Sequence, residues 1–461
     1  MAHSTLPVHL AETAPRISWS SQPKGVRTDT DFSILEALRK EYQGHHVTRT
    51  VSSKCDLMGF ARAGYANAMP RVDEGTEATR VYRLPPSRLD TSPGSLEEVK
   101  SFGCWDYNWE GYDFLVFQIS YQNQFHEAIH LLYVLTPLAG AAGQIQGSND
   151  NKTDALLLAS GQWTRELHQE IWVYDNAQWI KSKSLWKSVQ DASWDDVILN
   201  PKTKAKLLHD VEGFFDNRNM YQKLRIPWKR GVIFHGVPGN GKTISIKALI
   251  NTLAQRKLQP IQSLYVKSLD ACSGPKWSIR QIFRKARRMA PCMLIFEDLD
   301  SLVGDQTRSY FLNEVDGLES NDGILMIGST NHIDRLDPAV AKRPSRFDRK
   351  YHFKLPNEEE RLAYCRYWCA KFAGSDDEVV SFPEGICPII AKLTNGFSFA
   401  YLKELFVTSL LVYTRGDFDD DELEEVSIAQ GKSSKDDETA LAADTSKGAT
   451  NELKLVYYLR K

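Results

Sequence analysis

A chain of 461 residues with 42% apolar, 25% charged and 11% aromatic residues is long enough for two or three domains at roughly 150 residues each, and is neither collagen-like nor disordered as a whole. With 57 Lys+Arg against 59 Asp+Glu the net charge is −2, so no overall field draws the chain to nucleic acid and no such partner is expected. The seven cysteines are scattered and form no C-x-x-C pair, which excludes a disulfide framework or a zinc ribbon and points to a reducing compartment.

Residues 1–100 read as a largely irregular segment. Turn-forming clusters such as Pro85-Pro86-Ser87 and Asp90-Thr91-Ser92-Pro93-Gly94 interrupt it, and one short helix is expected at residues 32–42. The N-terminus has no apolar core of a secretory signal. Its Ser/Thr-rich start with Arg16, Lys24 and Arg27 sets a mitochondrial location as the alternative to a cytoplasmic one.

Residues 101–195 read as a mixed, β-rich α+β domain. Strands are expected at 114–120, 130–135, 170–174 and 179–185, and a helix at 154–169. The longest apolar run, residues 128–145, is broken by His130, Thr136 and Pro137. It fails as a membrane span, and no integral membrane segment is expected. Trp163, Trp172, Trp179, Trp186 and Trp194 crowd the end of this stretch and read as packing against strands rather than as a ligand platform.

Residues 196–356 read as an α/β core. Short apolar strands at 231–235, 264–267, 293–296, 324–329 and 351–355 alternate with helices, the pattern of a parallel sheet covered on both faces. The helix at 280–288 carries Arg280, Arg284, Lys285, Arg287 and Arg288, read as a solvated or subunit-facing surface. Residues 357–415 form a small helical lid, opened by Asn357 as N-cap before Glu358, Glu359 and Glu360, with helices to about residue 374, at 388–393 and at 399–414. Cys365 and Cys369, four apart, read as core packing of that lid. Residues 416–461 form a low-complexity tail with an acidic run at 417–425 and a short apolar end at 453–459.

Chemistry concentrates at two places. Gly236-Val237-Pro238-Gly239-Asn240-Gly241-Lys242-Thr243 fits G-x-x-x-x-G-K-[ST] in full, between a strand and a helix. Glycines there let backbone N–H groups close around phosphate oxygens, Lys242 neutralises them, and the Thr243 hydroxyl is placed to ligate Mg²⁺. The strand at 293–296 then ends in Glu297 and Asp298, carboxylates where a metal ion and an attacking water must be held beside such a loop.

Together with Ser329-Thr330-Asn331, Leu336-Asp337-Pro338 and Arg343-Pro344-Ser345-Arg346-Phe347-Asp348-Arg349, these motifs make residues 195–415 resemble the AAA family of ATPases. The resemblance implies bound ATP and Mg²⁺ and a homo-oligomeric ring. Asn331 then helps position the attacking water, and Arg343 and Arg346 serve as arginine fingers for a neighbouring subunit. It also places Glu297 on the Mg²⁺ side and Asp298 in the water-activating position. The family usually has Asp-Glu there. With the approach through Val197-Ile198-Leu199-Asn200-Pro201 and residues 225–231, that inversion makes the chain similar to the branch containing the mitochondrial translocase of the Rieske iron–sulfur protein and fungal AAA proteins of unassigned role. The segment 273–280 is shorter than the pore loop of peptide-threading members, so Trp277 is not assigned as a pore residue and threading is not implied. The anchor that would carry over a membrane location is not found.

The function expected is that of an ATP-hydrolysing ring machine that remodels or translocates a protein partner. A nucleotide-gated binding or scaffold protein with weak hydrolysis is the alternative.

Overall fold

The computed structural model describes residues 30–71, 77–85, 93–122, 128–138, 151–257, 259–316, 319–341, 343, 346–373 and 384–415. The Ser/Thr-rich N-terminal stretch on which the mitochondrial alternative rests and the acidic tail lie outside the described residues. The chain divides into two compact units, Met1–His168 and Gln169–Lys461.

The first unit runs α1 (Thr30–Glu41), β1 (His45–Val51), α2 (Leu57–Arg62), β2 (Asn67–Pro70), β3 (Glu77–Arg83), β4 (Ser95–Trp109), β5 (Tyr112–Gln122), β6 (Ala128–Pro137) and α3 (Asn151–Arg165). Its strands make a six-stranded antiparallel sheet in the order β1-β6-β5-β4-β2, with β3 also on β4. Alternation along the strands sends side chains to opposite faces. Leu115, Phe117 and Ile119 of β5 join Ile34 and Leu38 of α1, while Phe114 and Val116 join Leu57 and Phe60 of α2 and Leu156 of α3. Helices therefore cover both faces.

This corrects the reading of residues 1–100 as largely irregular. Among the described residues they contain two helices, three strands and the start of a fourth. The reason lies in their burial: β1 buries only Val47 and every residue of β3 is exposed, so these strands lack the apolar repeat by which a strand is recognised.

The second unit runs β7 (Ile171–Asp175), β8 (Gln178–Ser182), α4 (Lys183–Gln190), α5 (Pro201–Asp216), α6 (Arg218–Leu224), β9 (Lys229–Gly236), α7 (Lys242–Ala254), β10 (Gln262–Val266), α8 (Pro275–Met289), β11 (Cys292–Phe296), α9 (Leu299–Leu302), α10 (Asp305–Asp316), β12 (Ile324–Thr330), α11 (Pro338–Ala341), β13 (Arg349–Phe353), α12 (Glu358–Ala373), α13 (Cys387–Leu393) and α14 (Phe399–Arg415). The sheet order is β13-β9-β12-β11-β10-β7-β8. All pairs are parallel except β7 with β8.

The expected parallel sheet covered on both faces is what the structure contains. Cys292, Leu294 and Phe296 of β11 face a core that includes Ile279, Ile282, Phe283 and Ala286 of α8. Met293 and Ile295 face the core with Ile246, Leu249, Ile250 and Leu253 of α7. Both helices contribute residues at i, i+3, i+4 and i+7, the stripe one helix face presents. Each such fully buried side chain contributes about 1.5–3 kcal/mol for the larger aliphatics and Phe.

The unit boundary falls at residue 168, not at the expected 195. β7 pairs with β10, a partner about ninety residues on, and no local pattern announces a pairing at that distance. The tryptophans divide accordingly: Trp163 packs on Phe60 and His168 in the first unit, Trp172 and Trp179 against one core of the second, and Trp186 and Trp194 against the other.

The lid helices pack around Cys365, Trp368, Ile390 and Phe406. At the start of α12, the Asn357 side chain accepts from Glu360 N at 2.8 Å and Glu360 accepts from Asn357 N at 3.0 Å. That reciprocal capping pair fixes the start of the helix.

Candidate functional site

Residues 236–241 join β9 to α7, and three glycines make the turn possible. Gly236, Gly239 and Gly241 have φ of 139°, 78° and 91°, values that cost an L side chain strain. A Cβ at Gly236 would lie 2.1 Å from the Phe353 carbonyl oxygen, and one at Gly239 would lie 2.5 Å from Ala400 Cβ. The loop therefore presses its backbone against β13 and the start of α14.

Inside this turn Lys242 is 8% exposed, and its Nζ donates to the carbonyl oxygens of Gly236 at 2.7 Å and Val237 at 3.1 Å. Burial pushes its pKa below the usual lysine value, and the nearby charge of Asp298 opposes the shift. Asn240 is 1% exposed, and its buried Nδ2 has no hydrogen-bond partner. Thr243, in the first turn of α7, is exposed.

Three neighbouring strand ends bring the other candidates to this loop. β12 lies between β9 and β11, with Thr330 opposite His235 and Gly328 opposite Phe296. Asn331, Glu297 and Asp298 therefore leave the carboxyl edge beside Gly236, the crevice where open α/β sheets bind ligands. Glu297 is half-buried. Its Oε2 accepts from the Tyr265 hydroxyl at 2.7 Å, and its buried Oε1 has no partner. Burial first, and then Glu297, pushes the Tyr265 pKa up. Asp298 is exposed with φ 50°, a left-handed conformation that Asp tolerates better than most residues. Beneath Asn331, Thr330 donates to Asp300 at 2.6 Å and accepts from His332 N at 2.9 Å.

Beside the glycines opens a cavity of about 390 Å³ lined by Gly239, Gly241, Ile244, Ile198, Asp191, Asp196, Tyr364, Tyr367, Trp368, Lys371, Phe399, Ala400 and Lys403. Its volume and aromatic wall suit a small planar molecule. Sequence reading missed Tyr265 and this wall. Tyr265 sits on a core strand where an aromatic reads as packing, and the wall assembles from the lid and the segment before α5. Tyr367 spans the two by donating to Asp196 at 2.7 Å.

The two arginines expected to act together are separated. Arg343 is exposed. Arg346 is 8% exposed, with Nε paired to Asp316 and Nη1 donating to the Ala339 carbonyl. A Cβ at Gly231 would lie 2.0 Å from the Arg346 carbonyl oxygen, so the backbone there is also enclosed. In this conformation Arg346 is held within its own subunit, and Arg343 is the exposed one of the two. The motif spacing marks both as arginines but not which one the fold turns inward. Trp277 is 39% exposed in the first turn of α8, on a helix rather than on a free loop.

The residues fit a nucleoside triphosphate with Mg²⁺. An unpartnered buried amide donor at Asn240 and a desolvated lysine await an anion, an unpartnered carboxylate oxygen at Glu297 awaits a cation, and the glycine backbone leaves no room for a side chain.

Residues 232–355 match the family described as ATPase family associated with various cellular activities (AAA). The ATP-dependent zinc metalloprotease FtsH 2 of Thermoanaerobacter sp. (strain X514) is 34% identical over 200 residues, which cover 41% of this chain and 37% of that protein. The chain thus spans little more than a third of that relative's length, and residues 232–355 carry the match to the AAA family. No described helix is long and apolar enough to cross a membrane.

Proposed function

We propose that the chain binds ATP with Mg²⁺ and hydrolyses it, and that in a ring of its own copies it spends that cycle on remodelling or translocating a protein partner. The observation that carries the reading is the convergence of Lys242, Glu297, Asp298 and Asn331 on the glycine turn at the carboxyl edge of one parallel sheet. Lys242 exchanges its two carbonyl acceptors for phosphate oxygens, whose negative charge offsets the cost of holding an ammonium in a buried place. Asn240 Nδ2 and the amides at the start of α7 add donors. Thr243 and Glu297 would hold Mg²⁺, which would supply neutralisation of the charge that grows on the phosphate oxygens. Asp298, the exposed acid, takes the proton of a water that Asn331 orients. Arg343, exposed in the turn that precedes Arg346, is the arginine to be offered to a neighbouring subunit.

The Glu297-Asp298 order supports a place in the branch of the Rieske-protein translocase and its fungal relatives, with the cytoplasm as the proposed location. Single-turnover phosphate release tests the reading. Glu297→Gln and Asp298→Asn should bind ATP and slow turnover, because both acids act on the transition state. Mixing inactive Arg343→Ala with inactive Lys242→Ala subunits should restore activity at mixed interfaces. Parental rates in both acid variants would overturn the site assignment, and binding without turnover in the parent would leave a nucleotide-gated scaffold.

A further inference from the structure

The lid gathers three of the seven cysteines. Cys365 and Cys369 lie one turn apart on α12, and the fold brings Cys387, the first residue of α13, against them. The sulfur atoms of Cys369 and Cys387 are 3.2 Å apart, while an S–S bond is about 2.05 Å long, so a shift of about 1.2 Å would join them. Cys365 and Cys387 are both fully buried, and Cys369 is the partly exposed member. Among the described residues no group of three His, Cys, Asp or Glu is placed to hold a metal ion, which leaves sulfur–sulfur chemistry as the use this arrangement offers.

We infer that Cys369 and Cys387 are a reversible thiol–disulfide pair, oxidised by peroxide, that staples α12 to α13 of the lid. The accessible Cys369 thiolate attacks one oxygen of hydrogen peroxide, the O–O bond breaks, and a sulfenic acid and hydroxide result. The Cys387 sulfur then attacks the sulfenic sulfur, the S–O bond breaks, and with the two thiol protons the oxygens leave as two waters. A dithiol reductant returns both thiols. Burial, and then the neighbouring Cys387, hold the Cys369 pKa above the ordinary thiol value, so the reaction is slow at neutral pH and quickens with alkali.

The bond closes the chain across residues 370–386. It fixes the turn of α12 next to Trp368, whose ring stacks on Phe406 of α14 at 5.6 Å and lines the cavity beside Gly239. Oxidation should therefore raise the melting temperature of the lid, since the cross-link restricts the unfolded chain.

The test uses the full chain, treated with hydrogen peroxide and then with iodoacetamide, and needs no nucleotide, so it is independent of the proposed ATPase activity. The expected result is a loss of about 2 Da, two hydrogens, before alkylation. It should come with a Cys369–Cys387 cross-linked peptide, reversal by dithiothreitol and an upward shift in melting temperature. Cys365→Ser should keep the cross-link and Cys369→Ser should abolish it. Because Cys387→Ser alters a buried position, the second readout is alkylation of Cys387 in the parent, treated with peroxide while folded and then unfolded in denaturant before iodoacetamide is added. The inference is overturned if both thiols of the peroxide-treated parent alkylate in full after that unfolding. A bond from Cys365 instead, or Cys369 ending as a sulfinic acid without a cross-link, also overturns it.

Discussion

Arg346→Ala separates a role within the subunit from a role across a ring. In the structure the guanidinium is 8% exposed, pairs with Asp316 and donates to the Ala339 carbonyl. Removing one partner of a buried ion pair costs about 3–5 kcal/mol, because the remaining charge is left uncompensated. Asp316 is 24% exposed and keeps Lys229 at 3.2 Å, so its charge is partly compensated, and the cost should fall to about 2–3 kcal/mol. Urea unfolding followed by tryptophan fluorescence measures this directly. A double-mutant cycle with Asp316→Ala should give a coupling energy above about 1 kcal/mol. Arg343→Ala should unfold with the parent and lose turnover instead. The reasoning is refuted if Arg346→Ala unfolds with the parent while losing turnover, for then Arg346 would serve the neighbouring subunit as its motif alone suggests.

Gly236→Ala should fail to give a stable second unit, because its Cβ would lie 2.1 Å from the Phe353 carbonyl oxygen at a φ of 139°. A folded variant with normal melting would contradict the close approach of loop and strand. His235 stacks on His352 at 4.6 Å. Its pKa is held below 6.5 by burial first, then by His352, Lys350 and Lys242, with Asp334 opposing. The unfolded chain takes a proton that the folded one resists, so stability from this residue is full above pH 6.5 and is lost as pH falls through the depressed value. Denaturation series across that range should show a shallower acid slope for His235→Gln, and an unchanged slope would reject the assignment.

How far the sequence disclosed this molecule follows from where each signal resides. The glycine turn and the acids after β11 were legible because their chemistry requires particular residues at fixed spacing along one stretch of chain. The parallel sheet was legible because strands buried on both faces are near-continuous apolar runs, as in Cys292–Phe296. β3 was not legible, being exposed throughout. Nor was the assignment of β7 to the second sheet, which depends on pairing with a strand far along the chain. Tyr265 was hidden for a related reason: its hydroxyl finds Glu297 only when two strands lie side by side. The inward turn of Arg346 depends on Asp316 of α10, thirty residues away and outside the motif that names the arginine.

In the proposed cycle Lys242 and its glycine turn hold the phosphates of ATP. Calorimetric titration of Mg²⁺-ATP into the parent and into Lys242→Ala tests it most directly, with thermal melting of both proteins to show that each is folded. The expected result is saturable binding by the parent and a loss of at least about a hundredfold in affinity for the variant, corresponding to about 2.7 kcal/mol. Near-parental affinity in a folded Lys242→Ala protein would contradict it.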